Sequence, residues 1–350
     1  MTFERSRRTG GRVMFEGVPK AAHWINVAST ASVPRLTQPS PSSSPSPSPD
    51  SNPSPNSNPN PDSNPDPDPV PDTDPDPDPD PDPDPNPNPN SNPNPNPNQV
   101  PRLTRFMDHF WTMPKPEVII TVTGGAQDFQ LTHLQQIAFD RGLVSAAQSA
   151  KAWIFTAGSD TGVMRLVGNA LAKYNVDLPV VGVFPWGVVN EREQLANASS
   201  SSSVTAYKPT PPSIDGAPLN PHHSHFIFVD DGKRGRQAWG SEIQMRSALE
   251  AAISKAKGIP IVQLVVQGGP GTLATVESTA LAGKPIVVLA DTGGAATALH
   301  AFCNGGIDAV EPRFQNLEAS LPPPCSPRRC PAHHMSCVLT GPVVLATGQA

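Results

Sequence analysis

The sequence predicts an α/β protein: a Rossmann-like parallel sheet with helices on both faces, an N-terminal hairpin, and a long disordered proline-rich insertion. Three observations predict it. Between Glu117 and Phe302 there are six short Val/Ile-rich runs, five of them followed by a segment of helical period. Continuously apolar strands that alternate with helices belong to parallel sheets covered on both faces. Five of the six strand-end loops are made of Gly, Ser, Thr or Asp, and right-handed crossovers gather such loops on one edge of a sheet. The third observation is the tract from Ser42 to Asn98, a near-alternation of Pro with Ser, Asp or Asn. It has no apolar face with which to offset the entropy of ordering, so it is expected to be disordered with polyproline II character.

The elements follow in order. Arg12–Phe15 and His23–Val27 read as two short strands around the turn Glu16-Gly17-Val18-Pro19. Pro101–Trp111 reads as a short helix with Leu103, Phe106, Met107 and Phe110 on one face. Val118–Val122 ends in Thr123-Gly124-Gly125, and Leu131–Ala150 is the helix after it. Trp153–Phe155 leads into a helix over Thr161–Tyr174, and Pro179–Phe184 feeds a long polar loop from Pro185 to Pro221. His225–Val229 is followed by Asp230-Asp231-Gly232, read as a turn, and by a helix from about Gly240 to Lys257. Ile261–Val266 leads to Gly268-Gly269-Pro270-Gly271-Thr272 and a helix to Leu281. Ile286–Leu289 leads to Asp291-Thr292-Gly293-Gly294 and a last helix through Phe302. The expected segments are 1–33 for the hairpin, 34–100 for the insertion, 101–304 for the Rossmann-like domain and 305–350 for a disordered tail.

The stretch from Trp153 to Met164 is suited to a phosphate, because an apolar strand passes through small residues into an amphipathic helix. Asp160 or Thr161 is placed to cap that helix. The first N–H groups of a helix favour an anion, and Gly158 and Gly162 let a ligand approach the backbone. The same loop would also serve as a tight βα turn with no ligand.

Composition narrows the partners. The net charge of −6 owes eleven aspartates to the proline tract, which has no Lys or Arg; without them the balance is +5. A mildly basic domain suits an anionic small molecule and does not argue for nucleic acid. Four cysteines (Cys303, Cys325, Cys330, Cys337) form no CxxC pair, and with no signal peptide visible a reduced cytoplasmic setting is expected. His333, His334, Cys330 and Cys337 match no closed zinc spacing, so neither a metal nor a cofactor is expected. No apolar run approaches the ~20 residues of a membrane helix, so no direct membrane insertion is expected.

At these loops the sequence resembles a known family. Thr123-Gly124-Gly125, the Trp153–Met164 block, Pro185-Trp186-Gly187, the string from His223 to Gly232 and Gly268-Gly269-Pro270 resemble the N-terminal homology region of the melastatin-type (TRPM) transient receptor potential channels. That region belongs to the SLOG (LSDAT) group of Rossmann-like nucleotide-derivative binders. Gly11–Val27 and Pro101–Pro116 look like the family's hairpin and short helix, which makes the tract an insertion within one domain.

The resemblance implies an ADP-ribose-like ligand, a regulatory role, and as partner the rest of a channel subunit or a homo-oligomer at a membrane. It implies that the diphosphate meets Gly158, Ser159, Asp160, Thr161, Gly162, Val163 and Met164, that Arg246 pairs with a phosphate, and that Trp239 stacks on the ligand. Gly124, Gly125, Gly268, Gly269, Gly271 and Thr272 complete the expected site. No catalytic residue is expected. The Gly268–Leu273 loop also resembles that of Lonely Guy-type phosphoribohydrolases, but Ala274 stands where those enzymes carry the catalytic glutamate, and Glu277 is a poor substitute. A ligand-free assembly domain is the other alternative.

Overall fold

Residues 10–28, 99–197, 204–315 and 343–346 are described by the computed structural model. The proline tract expected to be disordered, most of the tail, and the His/Cys group after Cys325 lie outside these residues.

The first two strands, β1 (Gly10–Phe15) and β2 (Ala22–Ala28), pair antiparallel as the expected hairpin, with Gly10 opposite Ile25 and Val13 opposite Ala22. The hairpin extends the main sheet: β2 runs parallel to β7 (His225–Asp230), with Trp24 beside Phe226. The other expected strands are β3 (Ile119–Gly124), β4 (Trp153–Thr156), β5 (Val180–Pro185), β8 (Ile261–Val266) and β9 (Ile286–Leu289). With β6 (Val204–Tyr207) and β10 (Val343–Ala346), the order across the sheet is β10-β9-β8-β3-β4-β5-β7-β2-β1-β6, and every pair except β1·β2 is parallel.

Two departures concern the loops. The stretch from Pro185 to Pro221 was expected to be a long polar loop; it contains a 3-10 turn at Trp186–Val188, a short helix α4 (Arg192–Ala196) and strand β6 (Val204–Tyr207), which pairs with β1 in parallel. Trp186, Val188 and Tyr207 bury against Trp24 and Phe228, so this loop closes one end of the core. After Gly306, where no periodicity remains in the sequence, a 3-10 turn and a single helical turn (Pro312–Gln315) bring Val310 and Phe314 against Ala298 and Phe302. Strand β10 (Val343–Ala346) also lies in the expected tail and pairs with β9.

The helices sort by the direction of their crossovers. Helices α2 (His133–Ser149) and α3 (Gly162–Lys173) connect β3 to β4 and β4 to β5 and cover one face, with Phe139, Leu143, Val163 and Val167 on Ile120, Val122 and Ile154. Thr132 caps α2 in a reciprocal box with Gln135. On the other face α1 (Gln99–His109) and α5 (Ile243–Lys257) place Leu103, Met107, Met245 and Leu249 over Ile119, Trp153 and Val181. There, beside α5, Val276 of α6 (Pro270–Leu281) and Leu299 of α7 (Gly294–Gly305) pack on Val265 and Val288. The chain therefore changes direction between β3 and β8. Ligands of open α/β sheets bind at that switch point, outside the carboxyl ends of the strands.

Candidate functional site

A crevice of about 380 Å³ opens at the switch point. It runs from the end of β3 and the start of α6 down between α5 and α6, over Thr121 of β3 and Gln263 of β8. Six of the expected site residues line it: Gly124, Met164, Arg246, Gly269, Gly271 and Thr272. The remaining nine (Gly125, Gly158, Ser159, Asp160, Thr161, Gly162, Val163, Trp239 and Gly268) are not among its lining residues.

The start of α3 shows why that block stays out. Thr161 occupies the N-cap position but makes no capping bond, because its hydroxyl pairs with Ser159 Oγ at 2.9 Å. Asp160 does not cap either; its carboxylate accepts from Asn220 Nδ2 at 2.9 Å and from Arg165 Nε at 3.3 Å. The first helix N–H groups are already used. Gly162 N donates to Asp128 Oδ1 at 2.8 Å and Val163 N to the carbonyl of Gly125 at 2.8 Å. An internal carboxylate thus sits where the dipole would favour a phosphate. The glycines answer to the protein's own backbone as well. A Cβ on Gly162 would lie 2.0 Å from Gly125 O, and one on Gly158 would lie 2.8 Å from the Cα of Gly182.

Helix α7 begins in a similar way, with Ala295 N and Ala296 N donating to the carbonyls of Gly268 and Gln267. Helix α6 differs. Gly269 is its N-cap with no side-chain cap, Pro270 supplies a first-turn position without an N–H, and a Cβ on Gly269 or Gly271 would meet nothing within 4 Å. Thr272 N and Leu273 N turn back to the Gly269 carbonyl at 3.0 and 3.3 Å, so Gly271 N is the first-turn N–H left without a partner among the described residues.

Arg246 lies one helical turn into α5 and is largely buried. Its side chain is 15% exposed. Nε donates to Glu250 Oε1 at 2.9 Å, while Nη2 donates to Thr121 Oγ1, to Val122 O at 2.9 Å and to Phe155 O at 3.3 Å. The guanidinium is bolted across the ends of β3 and β4, with Nη1 unengaged among the described residues.

Glu242 also lines the crevice, and burial pushes its carboxyl up to about 7 against the pull of Arg246. Its Oε2 has no partner among the described residues. Trp239 stands apart: it is 41% exposed, its Nε1 donates to Ile214 O at 3.2 Å, and its ring meets Phe184 edge-on. Asp230 and Asp231 do shape their turn, accepting from Gly232 N and Lys233 N at 3.0 Å. Among the described residues no cluster of His, Cys, Asp or Glu is arranged to hold a metal.

Sequence reasoning missed Thr121, Glu242, Glu250 and Gln263. Two signals were available: Glu250 stands four residues after Arg246, an i,i+4 ion pair, and Gln263 is the one amide in the apolar run Ile261–Val266. Glu277, the remote hydrolase candidate, is not a lining residue of the crevice.

A family model described as SLOG in TRPM matches residues 96–314. The chain is 38% identical over 204 residues to "Transient receptor potential cation channel subfamily M member-like 2" of Nematostella vectensis, a match covering 53% of this chain and 13% of that protein. It is 36% identical over 204 residues to the subfamily M member 2 protein of Rattus norvegicus, covering 54% of this chain and 13% of the relative. To the subfamily M member 6 protein of Homo sapiens it is 36% identical over 213 residues, with 57% and 10% covered. The chain thus spans a small part of the length of these relatives, and no helix among its described residues is long and apolar enough to cross a membrane. On the match over residues 96–314, the chain belongs to the SLOG family found in TRPM channels.

Proposed function

We propose that this domain is a regulatory module of a TRPM-type cation channel subunit that binds a nucleotide derivative of the ADP-ribose class, without catalysing a reaction on it. The open, uncapped start of α6 beside Arg246 is the observation that carries the reading. The unpartnered Gly271 N–H at a helix start and a fixed guanidinium are together suited to phosphate oxygens. Gly124, Gly269, Gly271 and Thr272 form the floor of this rim, Met164 its apolar wall, and Arg246 its charge. Gly125, Gly158, Ser159, Asp160, Thr161, Gly162, Val163 and Gly268 act as the framework behind it, and Trp239 contacts only the outer part of a bound ligand. The partner is the remainder of a channel subunit on the cytoplasmic side of a membrane, or further copies of the chain.

Calorimetric titration of the chain with ADP-ribose, AMP and NAD at low salt tests the reading. Saturable heat is expected with ADP-ribose, weakening several-fold toward 0.5 M salt as charge-assisted contacts are screened. Silence with all three ligands overturns the proposal and leaves an assembly role.

A pH dependence goes with it. Glu242 titrates near 7 beside Arg246, and a bound diphosphate favours its neutral form. Binding therefore takes up a proton above neutrality, and ADP-ribose affinity should fall several-fold between pH 6.5 and 8.5. Glu242→Gln should flatten that profile; an unchanged slope in the variant would count against Glu242 as the titrating group.

A further inference from the structure

We propose that the crevice continues beyond the phosphate rim into a base-reading slot between α5 and α6, where the Gln263 side-chain amide recognises the edge of an adenine ring. The proposal rests on the phosphate reading above for the ligand's other end. Gln263 is fully buried in the middle of β8, beside Thr121 of β3, and lines the crevice. Neither its Oε1 nor its Nε2 has a hydrogen-bond partner among the described residues. Buried polar groups in native proteins are nearly always paired, so one with both atoms orphaned needs an explanation.

Three threonines that line the crevice have their hydroxyls engaged elsewhere. Thr275 and Thr279 of α6 turn their hydroxyls back to the carbonyls of Gly271 and Thr275, each at 3.0 Å. Thr121 Oγ1 donates to Glu250 Oε1 at 2.8 Å and accepts from Arg246. The amide is thus held on the slot floor with a donor and an acceptor side by side, and rotating it by half a turn exchanges them without losing the pair. Its complement is a planar edge with an adjacent acceptor and donor. Adenine offers such an edge through its amino group and a ring nitrogen, the pairing that Gln makes when it reads adenine in DNA. The edge read is that of the amino group and N7; on the same edge hypoxanthine presents two acceptors, O6 and N7, so either orientation of the amide sets Gln263 Oε1 against one of them. Ile243 and Ile261, which also line the crevice, supply apolar surface for the ring faces. The volume of about 380 Å³ falls within the range of small-molecule sites. A nucleotide would lie with its phosphates at the α6 start and its base down the slot.

The test uses the full chain and its Gln263→Met variant, which keeps side-chain length and removes both hydrogen-bonding atoms. Adenosine, inosine and inorganic pyrophosphate are titrated separately by calorimetry or ligand-observed NMR. Wild type is expected to bind adenosine about tenfold or more tighter than inosine. Gln263→Met should lower adenosine affinity to the inosine level and leave pyrophosphate affinity within twofold. Its ligand-free melting midpoint should rise by about 2–8 °C, because an orphaned amide is replaced by an apolar chain. A Tm gain confirms that the variant is folded.

Equal or absent binding of the two nucleosides by wild type overturns the slot, as does an adenosine preference that survives in Gln263→Met. Pyrophosphate binding without nucleoside preference sinks the slot and keeps the phosphate rim. Adenosine preference with silent pyrophosphate does the reverse.

Discussion

Replacing Arg246 by alanine is expected to destabilise the fold by about 3–5 kcal/mol and to abolish diphosphate binding. As a helix-surface charge the residue would be removable at no cost to stability, but its surroundings argue otherwise. Glu250 is 5% exposed, and Arg246 is its ion-pair partner, with Thr121 the remaining hydrogen-bond donor to Oε1. Alanine would leave a buried carboxylate without its counter-charge and would remove a donor from Thr121 Oγ1 and from the strand-end carbonyls of Val122 and Phe155. In a domain of this size each kcal/mol moves the melting midpoint by about 2–4 °C, so a fall of about 6–20 °C is expected.

Lysine should recover only part of this, because an ammonium cannot hold Glu250 and the carbonyls from one fixed plane. The double variant Arg246→Met with Glu250→Leu separates the two roles. Removing both charges of a buried pair is often neutral or stabilising, so stability should return toward wild type while binding stays lost. Urea unfolding and ADP-ribose calorimetry on the three variants provide the measurements. A midpoint within 1 °C of wild type for Arg246→Ala would show that the network carries no stability. Restored binding in the double variant would remove Arg246 from the ligand site.

How much of this was legible in the sequence differs between scaffold and site. The Val/Ile runs mark β8 and β9 to the residue, and mark β3 to β5 within one or two residues at either end. Such strands are buried on both faces, so local composition alone declares them. Strand β6 is different: Val204–Tyr207 is a strand because β1, nearly two hundred residues earlier, lies beside it, and four residues after a serine run carry no periodic signal.

The glycine loops misled for a physical reason. A missing Cβ lets a ligand approach, and it equally lets backbone approach backbone, as Gly158 does with Gly182 and Gly162 with Gly125. Sequence cannot separate the two uses. Nor could it place Asp128, whose carboxylate occupies the α3 helix start from a loop more than thirty residues away. Arg246 was found by resemblance, but its ties to Thr121, Val122 and Phe155 depend on sheet geometry. In contrast, the polar Gln263 inside Ile261–Val266 was visible in the sequence as a local inconsistency, and such inconsistencies tend to mark function.

Acidification is expected to unfold the domain steeply, and the slope follows from three buried groups. His223 is fully enclosed: Asn220 Nδ2 donates to Asp160, so Asn220 Oδ1 is the acceptor for His223 Nδ1–H at 3.1 Å, which leaves Nε2 to accept from Thr156 Oγ1 at 2.7 Å. His225 stacks on His23 and packs against Trp111, with centroids 5.4 and 4.8 Å apart. Burial lowers both imidazoles to about 3, with the neighbouring His222 acting in the same sense on His223 and the neighbouring His23 and Lys20 on His225.

A depressed imidazole favours the folded state above its unfolded pKa of ~6.5, and that contribution drains away as pH falls toward 3. Glu242 works in the opposite sense. Its raised value means that the folded state holds one extra proton between about 4.5 and 7, so its contribution is complete below 4.5 and is lost as pH rises through 7. Between pH 6.5 and 4.5 the unfolded chain therefore binds two protons more at the histidines and one fewer at Glu242. From these three groups the net is one proton, or roughly 1.4 kcal/mol of stability lost per pH unit, and His23 and His222, which burial also lowers, add to it in the same direction. Below 4.5 the glutamate no longer compensates, and the slope should double to about 2.7 kcal/mol per unit.

Urea midpoints measured from pH 7.5 to 4 read this directly. Glu242→Gln should bring the steeper slope up to pH 6.5, since it removes the opposing proton and leaves the histidines. A wild-type stability that stays flat from pH 6.5 to 4.5 would mean that these imidazoles do not enter the fold neutral, and a Glu242→Gln profile parallel to wild type would remove Glu242 from the balance.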